Sequence, residues 1–74
     1  MIHGVYVKNR PKSKWHLVTA VVSPELANRE LQEALQQAQR EGNEQAEVAI
    51  QLFESSFFIP ETLPEIKKHT PQFN

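Results

Sequence analysis

The chain contains no cysteine. That absence excludes disulfides, thiolate zinc centres, iron–sulfur clusters and cysteine nucleophiles, and with them the staples on which small secreted domains rely. An intracellular, reducing setting is the expectation, with the cytoplasm as the simplest compartment. Glycine occurs only at Gly4 and Gly42, so no phosphate loop of GxGxxG or Walker type can be written. No apolar run approaches the ~18 residues of a membrane span, and the first residues are too mixed for the apolar segment of a secretory signal. Neither membrane association nor a bound cofactor is expected.

Acidic residues are missing altogether before Glu25, whereas Lys8, Arg10, Lys12 and Lys14 all fall in that stretch, which carries +4. Residues 25–47 hold six glutamates against Arg29 and Arg40, a local charge of −4, and the remainder carries −1. The net charge of −1 therefore conceals a basic end and an acidic middle, and any charged partner meets one surface rather than the whole molecule. With 74 residues the chain has room for a single core. A hydrophobic share of 39% is lean for that length, where ordering each residue costs about 1.5 kcal/mol, so further apolar cover from a second subunit would help.

Residues 2–8 and 14–22 are dense in Val, Tyr, Trp, Leu and Thr and read as strands. Asn9, Arg10, Pro11, Lys12 and Ser13 between them are turn formers, which predicts a hairpin with a loop of about five residues. Placing Lys8 opposite Lys14 puts His3, Val5, Val7, Trp15, Leu17, Thr19 and Val21 on a core face. Gly4, Tyr6, Lys8, Lys14, His16, Val18, Ala20 and Val22 then share the other.

Ser23, Pro24 and Glu25 form a helix start: a hydroxyl to cap a free amide, a proline suited to the first turn, and an acid against the positive end of the dipole. Leu26, Ala27, Leu31, Ala34, Leu35 and Ala38 recur at three- and four-residue steps as one narrow apolar stripe, and Gly42 can close the helix. Residues 46–54 alternate as a third strand, with Val48, Ile50 and Leu52 on one side and Ala49, Gln51 and Phe53 on the other. The fold class that follows is α+β in ββαβ order: a small, mostly antiparallel three-stranded sheet with the first strand central and one long helix on one face. Residues 1–56 form the compact domain. Residues 57–74 form a proline-interrupted tail that packs on the domain or on a partner subunit, with a fourth short strand at 57–59 and a helical turn at 64–69 as its candidate elements.

Chemistry concentrates at the hairpin tip. Lys8, Arg10, Lys12 and Lys14, with Tyr6 and His16 beside them, are candidate anion- or nucleic-acid-binding residues, because cations neutralise phosphates while a ring stacks on a base. A solvated turn is the competing reading. His3, His16 and His69 lack zinc-ligand spacing, and His16 has no orienting carboxylate nearer than Glu25 in sequence; pairing with Tyr6 in a half-buried strand suits it better. No metal site and no catalytic set is expected. Val18, Ala20, Val22, Phe53, Phe57 and Phe58 fall outside the single helix's reach and are candidate interface residues. The expected function is a non-enzymatic interaction or regulatory module working as a homodimer; the alternative is nucleic-acid binding through the basic hairpin.

Overall fold

In the computed structural model, which describes residues 1–54 and 58–66, strand β1 (Ile2–Lys8) pairs on both sides. Strand β2 (Trp15–Val21) and strand β3 (Glu47–Phe53) flank it, both antiparallel, and helix α1 (Pro24–Arg40) connects those two. A two-residue strand β4 (Thr62–Leu63) pairs antiparallel with β2, giving the sheet order β3-β1-β2-β4. The α+β class, the antiparallel placement of the third strand and the central first strand are as the sequence predicts. The fourth strand lies later than expected: Phe58 and Ile59 are outside regular structure and pairing begins at Thr62. Pro64 to Ile66 are not helical, and the rest of the expected turn at 64–69 lies outside the described residues.

Both helix ends are closed by their own residues. The Ser23 hydroxyl accepts the Leu26 amide at 3.3 Å, with Pro24 in the first turn and Glu25 at the dipole's positive end. At the other end Gly42 has φ 76°, its amide donates to the Gln39 carbonyl at 3.0 Å, and the Asn43 amide donates to the Ala38 carbonyl at 2.9 Å. Those two bonds satisfy carbonyls that the last turn leaves open, and the left-handed conformation between them favours glycine.

The hairpin register departs from the expected one, with a clear physical consequence. Tyr6 lies opposite Leu17 and Val7 opposite His16, whereas Val5 lies opposite Thr19 and His3 opposite Val21. A bulge between the two halves leaves Val18 without a partner on β1. Relative to the expected pairing, the tip half of β2 is displaced by one residue, and a one-residue slip exchanges the faces of every side chain it includes. Trp15 and Leu17 therefore join Gly4, Tyr6 and Lys8, while His16 moves to the side of Val7. The expected contact between Tyr6 and His16 does not form, and Trp15 and Leu17 do not belong to the layer beneath the helix.

Helix α1 lies over the face that carries Val5 and Val7. Val5 and Ala27 are fully buried and Ala38 nearly so, whereas Leu31 and Leu35 are only half-buried. Truncating Leu35 should therefore cost less than the 2–5 kcal/mol typical of a fully buried leucine.

The opposite face has a core of its own. Tyr6 is 0% exposed and Trp15 is 3% exposed. Tyr6 stands tilted against Phe53, with ring centroids 6.5 Å apart, and a β-carbon on Gly4 would come within 2.9 Å of the Tyr6 ring and 3.0 Å of the Phe53 ring. Glycine at position 4 leaves room for that pair. Pro60, just ahead of β4, lies over this face, where the Tyr6 hydroxyl donates to its carbonyl at 2.7 Å. The Leu17 amide then donates to the Glu61 carbonyl at 2.8 Å and leads into β4.

Two measurements check this second core. Gly4→Ala should cost about 1–3 kcal/mol in urea unfolding, because the Tyr6 ring it meets is held at its hydroxyl and cannot move aside freely. Burial pushes the Tyr6 phenol above its ordinary value of 10.0. The unfolded phenol therefore ionises first, so its contribution is complete below about pH 10 and is lost as pH rises through the higher folded value. Tyr6→Phe should lower stability by about 1–2 kcal/mol near neutrality through the stranded Pro60 carbonyl, and its stability should fall less steeply than the parent's above about pH 10.

Candidate functional site

The hairpin tip is fixed by its own backbone. The Ser13 hydroxyl accepts the Arg10 amide at 3.2 Å and donates to the Arg10 carbonyl at 2.9 Å, while the Ser13 amide donates to that carbonyl at 3.0 Å. Asn43, just past the helix, donates its side-chain amide to the Asn9 carbonyl at 3.0 Å and so ties the tip to the loop before β3. On this frame Arg10, Lys12 and Lys14 are exposed, and among the described residues none of the three enters an ion pair.

Lys8 is placed differently. Directly opposite Glu47 in the β1–β3 ladder, its ammonium lies 3.6 Å from the Glu47 carboxylate and 4.9 Å from the centre of the Trp15 ring. It serves the sheet's own cohesion through a cross-strand charge pair and a cation–π contact. Tyr6 is buried and hydrogen-bonded to Pro60, so its ring has no free face on which a base could stack. His16 is exposed but lies on the opposite side of the sheet from Lys8. The six residues expected to act together at the tip thus divide: three exposed cations, one internally paired lysine, one core tyrosine, and one histidine on the other face.

Charge beside the tip also matters. A groove of about 390 Å³ runs between the hairpin and α1, floored by Val7, Val18, Ala34 and Ala38, with Glu30, Glu33 and Glu41 among its lining residues. A polyanion approaching the tip from that side meets carboxylates as well as cations. Val18, expected on the uncovered face, lines this groove on the helix side because it is the bulged residue.

Among the histidines, His3 is half-buried with Nδ1 buried and unpartnered among the described residues, and His69 lies outside them. Of the other interface candidates, Ala20 and Val22 are exposed, Phe53 is half-buried against Tyr6, Phe58 is 76% exposed, and Phe57 lies outside the described residues.

The sequence allows a homodimer through an exposed strand edge, beside the sheet's second face and the phenylalanine segment, without naming the strand; the outer edge of β3 is such an edge. Among the described residues no strand pairs with it. It runs seven residues with no proline and no glycine, Glu47 is its one charged residue, and Leu52 at its far end is 49% exposed. Its signal in the sequence is the run from Val48 to Phe53 with no charge, proline or glycine; that Glu47 sits opposite Lys8 comes from the observed register.

The basic tip yields a quantitative expectation. Binding to duplex nucleic acid through the three exposed cations of the tip, Arg10, Lys12 and Lys14, should show a log–log salt slope of about −2.7, from ~0.9 per neutralised phosphate. Anisotropy titrations at several salt concentrations measure it, and a slope near −3.6 would require a fourth cation at the phosphate backbone.

No protein-family model matches the chain, and neither a curated protein nor a solved structure matches it.

Proposed function

We propose that this chain is a non-enzymatic protein-interaction module that works as a homodimer in the cytoplasm. The observation that carries the reading is the outer edge of β3, with which no strand pairs among the described residues; from Val48 to Phe53 it has no proline, no glycine and no charge, and it bears Val48, Ile50 and Leu52. Folded proteins guard such edges with lysine, proline, bulges or covering loops, and an unguarded edge is a template for another chain. On the other edge β4 covers the tip half of β2, pairing with Trp15 and His16, with Pro60 and Pro64 on either side of it. The cytoplasmic setting is supported by the want of cysteine.

Nucleic-acid binding is the weaker reading, since it retains three cations and loses both Tyr6 and Lys8 to the fold. Sedimentation at low to high micromolar concentration tests the preferred one. A concentration-dependent species of twice the 8.5 kDa chain mass is expected, and a monomer at high micromolar concentration would remove the homodimer.

A further inference from the structure

We infer that two copies join through β3 in an antiparallel, twofold-symmetric ladder centred on Ile50, making one sheet of eight strands from the two sheets of four. The inference rests on the homodimer reading and specifies its geometry. A twofold axis normal to the sheet brings together residues that point to the same side, so only registers that match odd with odd and even with even positions are symmetric. Centring on Ile50 pairs all seven residues: Glu47 with Phe53, Val48 with Leu52, Ala49 with Gln51, and Ile50 with its own copy.

The side-chain chemistry of that register is self-consistent. On the helix side, Val48, Ile50 and Leu52 of each copy meet Leu52, Ile50 and Val48 of the other, so the apolar layer beneath α1 continues across the seam. Leu52, left 49% exposed in the single chain, gains an apolar partner. Its position opposite Val48 of the second copy is also close to a groove of about 380 Å³ between α1 and the start of β3, lined by Leu35, Gln39, Asn43, Glu44 and Ala46. Ala46 is two residues before Val48 and on the same side of the strand, so the incoming Leu52 lies at the mouth of that groove, where Leu35 is half-buried. On the other side of the sheet, Glu47 remains with Lys8 and faces Phe53, so no like charges stand opposite one another. The two Glu47 residues lie at opposite ends of the ladder.

A chain without native cysteine makes the register directly readable. One preparation carries Ala49→Cys and another Gln51→Cys, and the two are oxidised separately and mixed, after sedimentation under reducing conditions confirms that each retains the parent's mass. In the proposed register positions 49 and 51 of different copies face each other at about 4.5–5.5 Å between α-carbons, inside the range a disulfide spans. Two copies of position 49, or two of position 51, are diagonal neighbours about 7–8 Å apart, at or beyond that range. The mixture should form the 49–51 disulfide several-fold faster than either preparation forms its like pair. Independently, backbone amides on the outer edge of β3 in the unmodified chain should exchange more slowly as protein concentration rises.

A dimeric parent that forms like pairs as fast as mixed ones, or whose β3 amides exchange at a rate independent of concentration, would overturn this pairing while leaving the homodimer in place. A parent that stays monomeric would overturn both.

Discussion

One hydroxyl decides how this small sheet is closed. A single helix covers one side of a four-stranded sheet, and the other side carries the largest fully buried side chain of the described residues, Tyr6. Its phenol can be buried at low cost only if the hydroxyl finds a partner, because an unsatisfied buried polar group costs about 1–3 kcal/mol. The Pro60 carbonyl supplies that partner and holds Pro60 over the sheet beside the edge where β4 pairs. Gly4 makes room for the ring, Phe53 packs at its edge, and β4 follows directly on Pro60 and Glu61. The result is two thin apolar layers on either side of one sheet, instead of one deeper core.

The same economy governs the charges. Lys8 belongs by sequence to the basic tip, but at the end of β1 it meets Glu47 across the ladder and Trp15 on the same face. Its ammonium bridges a carboxylate and a ring, which is the behaviour expected of a long amphipathic side chain at a sheet margin. Positive charge counted in the sequence is thus partly internal to the fold. The tip that remains is small, held rigid by Ser13 and Asn43, and flanked by the glutamate-lined groove.

What could be read from the residues divides along the range of the interactions involved. Strand composition, the Ser23 cap, Gly42 and the apolar stripe are local signals, and β1, β2, α1 and β3 lie within a residue or so of where those signals put them. The helical crossover leaves two places for the third strand, antiparallel beside β1 or parallel beside β2; the preferred first one is what the structure shows. Register was not legible. Whether Trp15 or His16 faces Val7 depends on how Ser13 closes the turn and on the bulge at Val18, and neither leaves a composition signature. Thr62–Leu63 is a strand because Tyr6 and Leu17 hold the chain beside β2, not because two residues carry a propensity worth reading. For the candidate site the consequence was direct: the cations at Arg10, Lys12 and Lys14 were correctly placed on the surface, while Tyr6 and Lys8 were assigned outward roles that tertiary contacts take from them.

The two edges of the sheet are treated unequally, and the inequality has a physical basis. On the β2 side, β4 pairs for two residues and prolines at 60 and 64 limit how far a further strand could extend the ladder, because proline offers no amide donor. On the β3 side every position retains its donor, and the side chains alternate so that the apolar set lies level with the layer under α1. A proline or a bulge placed there as a guard would disturb a strand whose inner edge pairs along all seven residues with β1, and the sequence carries no lysine on it. The inner ladder therefore favours the same regularity that leaves the outer edge open. Covering Leu52, 49% exposed in the single chain, and extending that layer adds burial at about 25 cal/mol for each Å² removed from water.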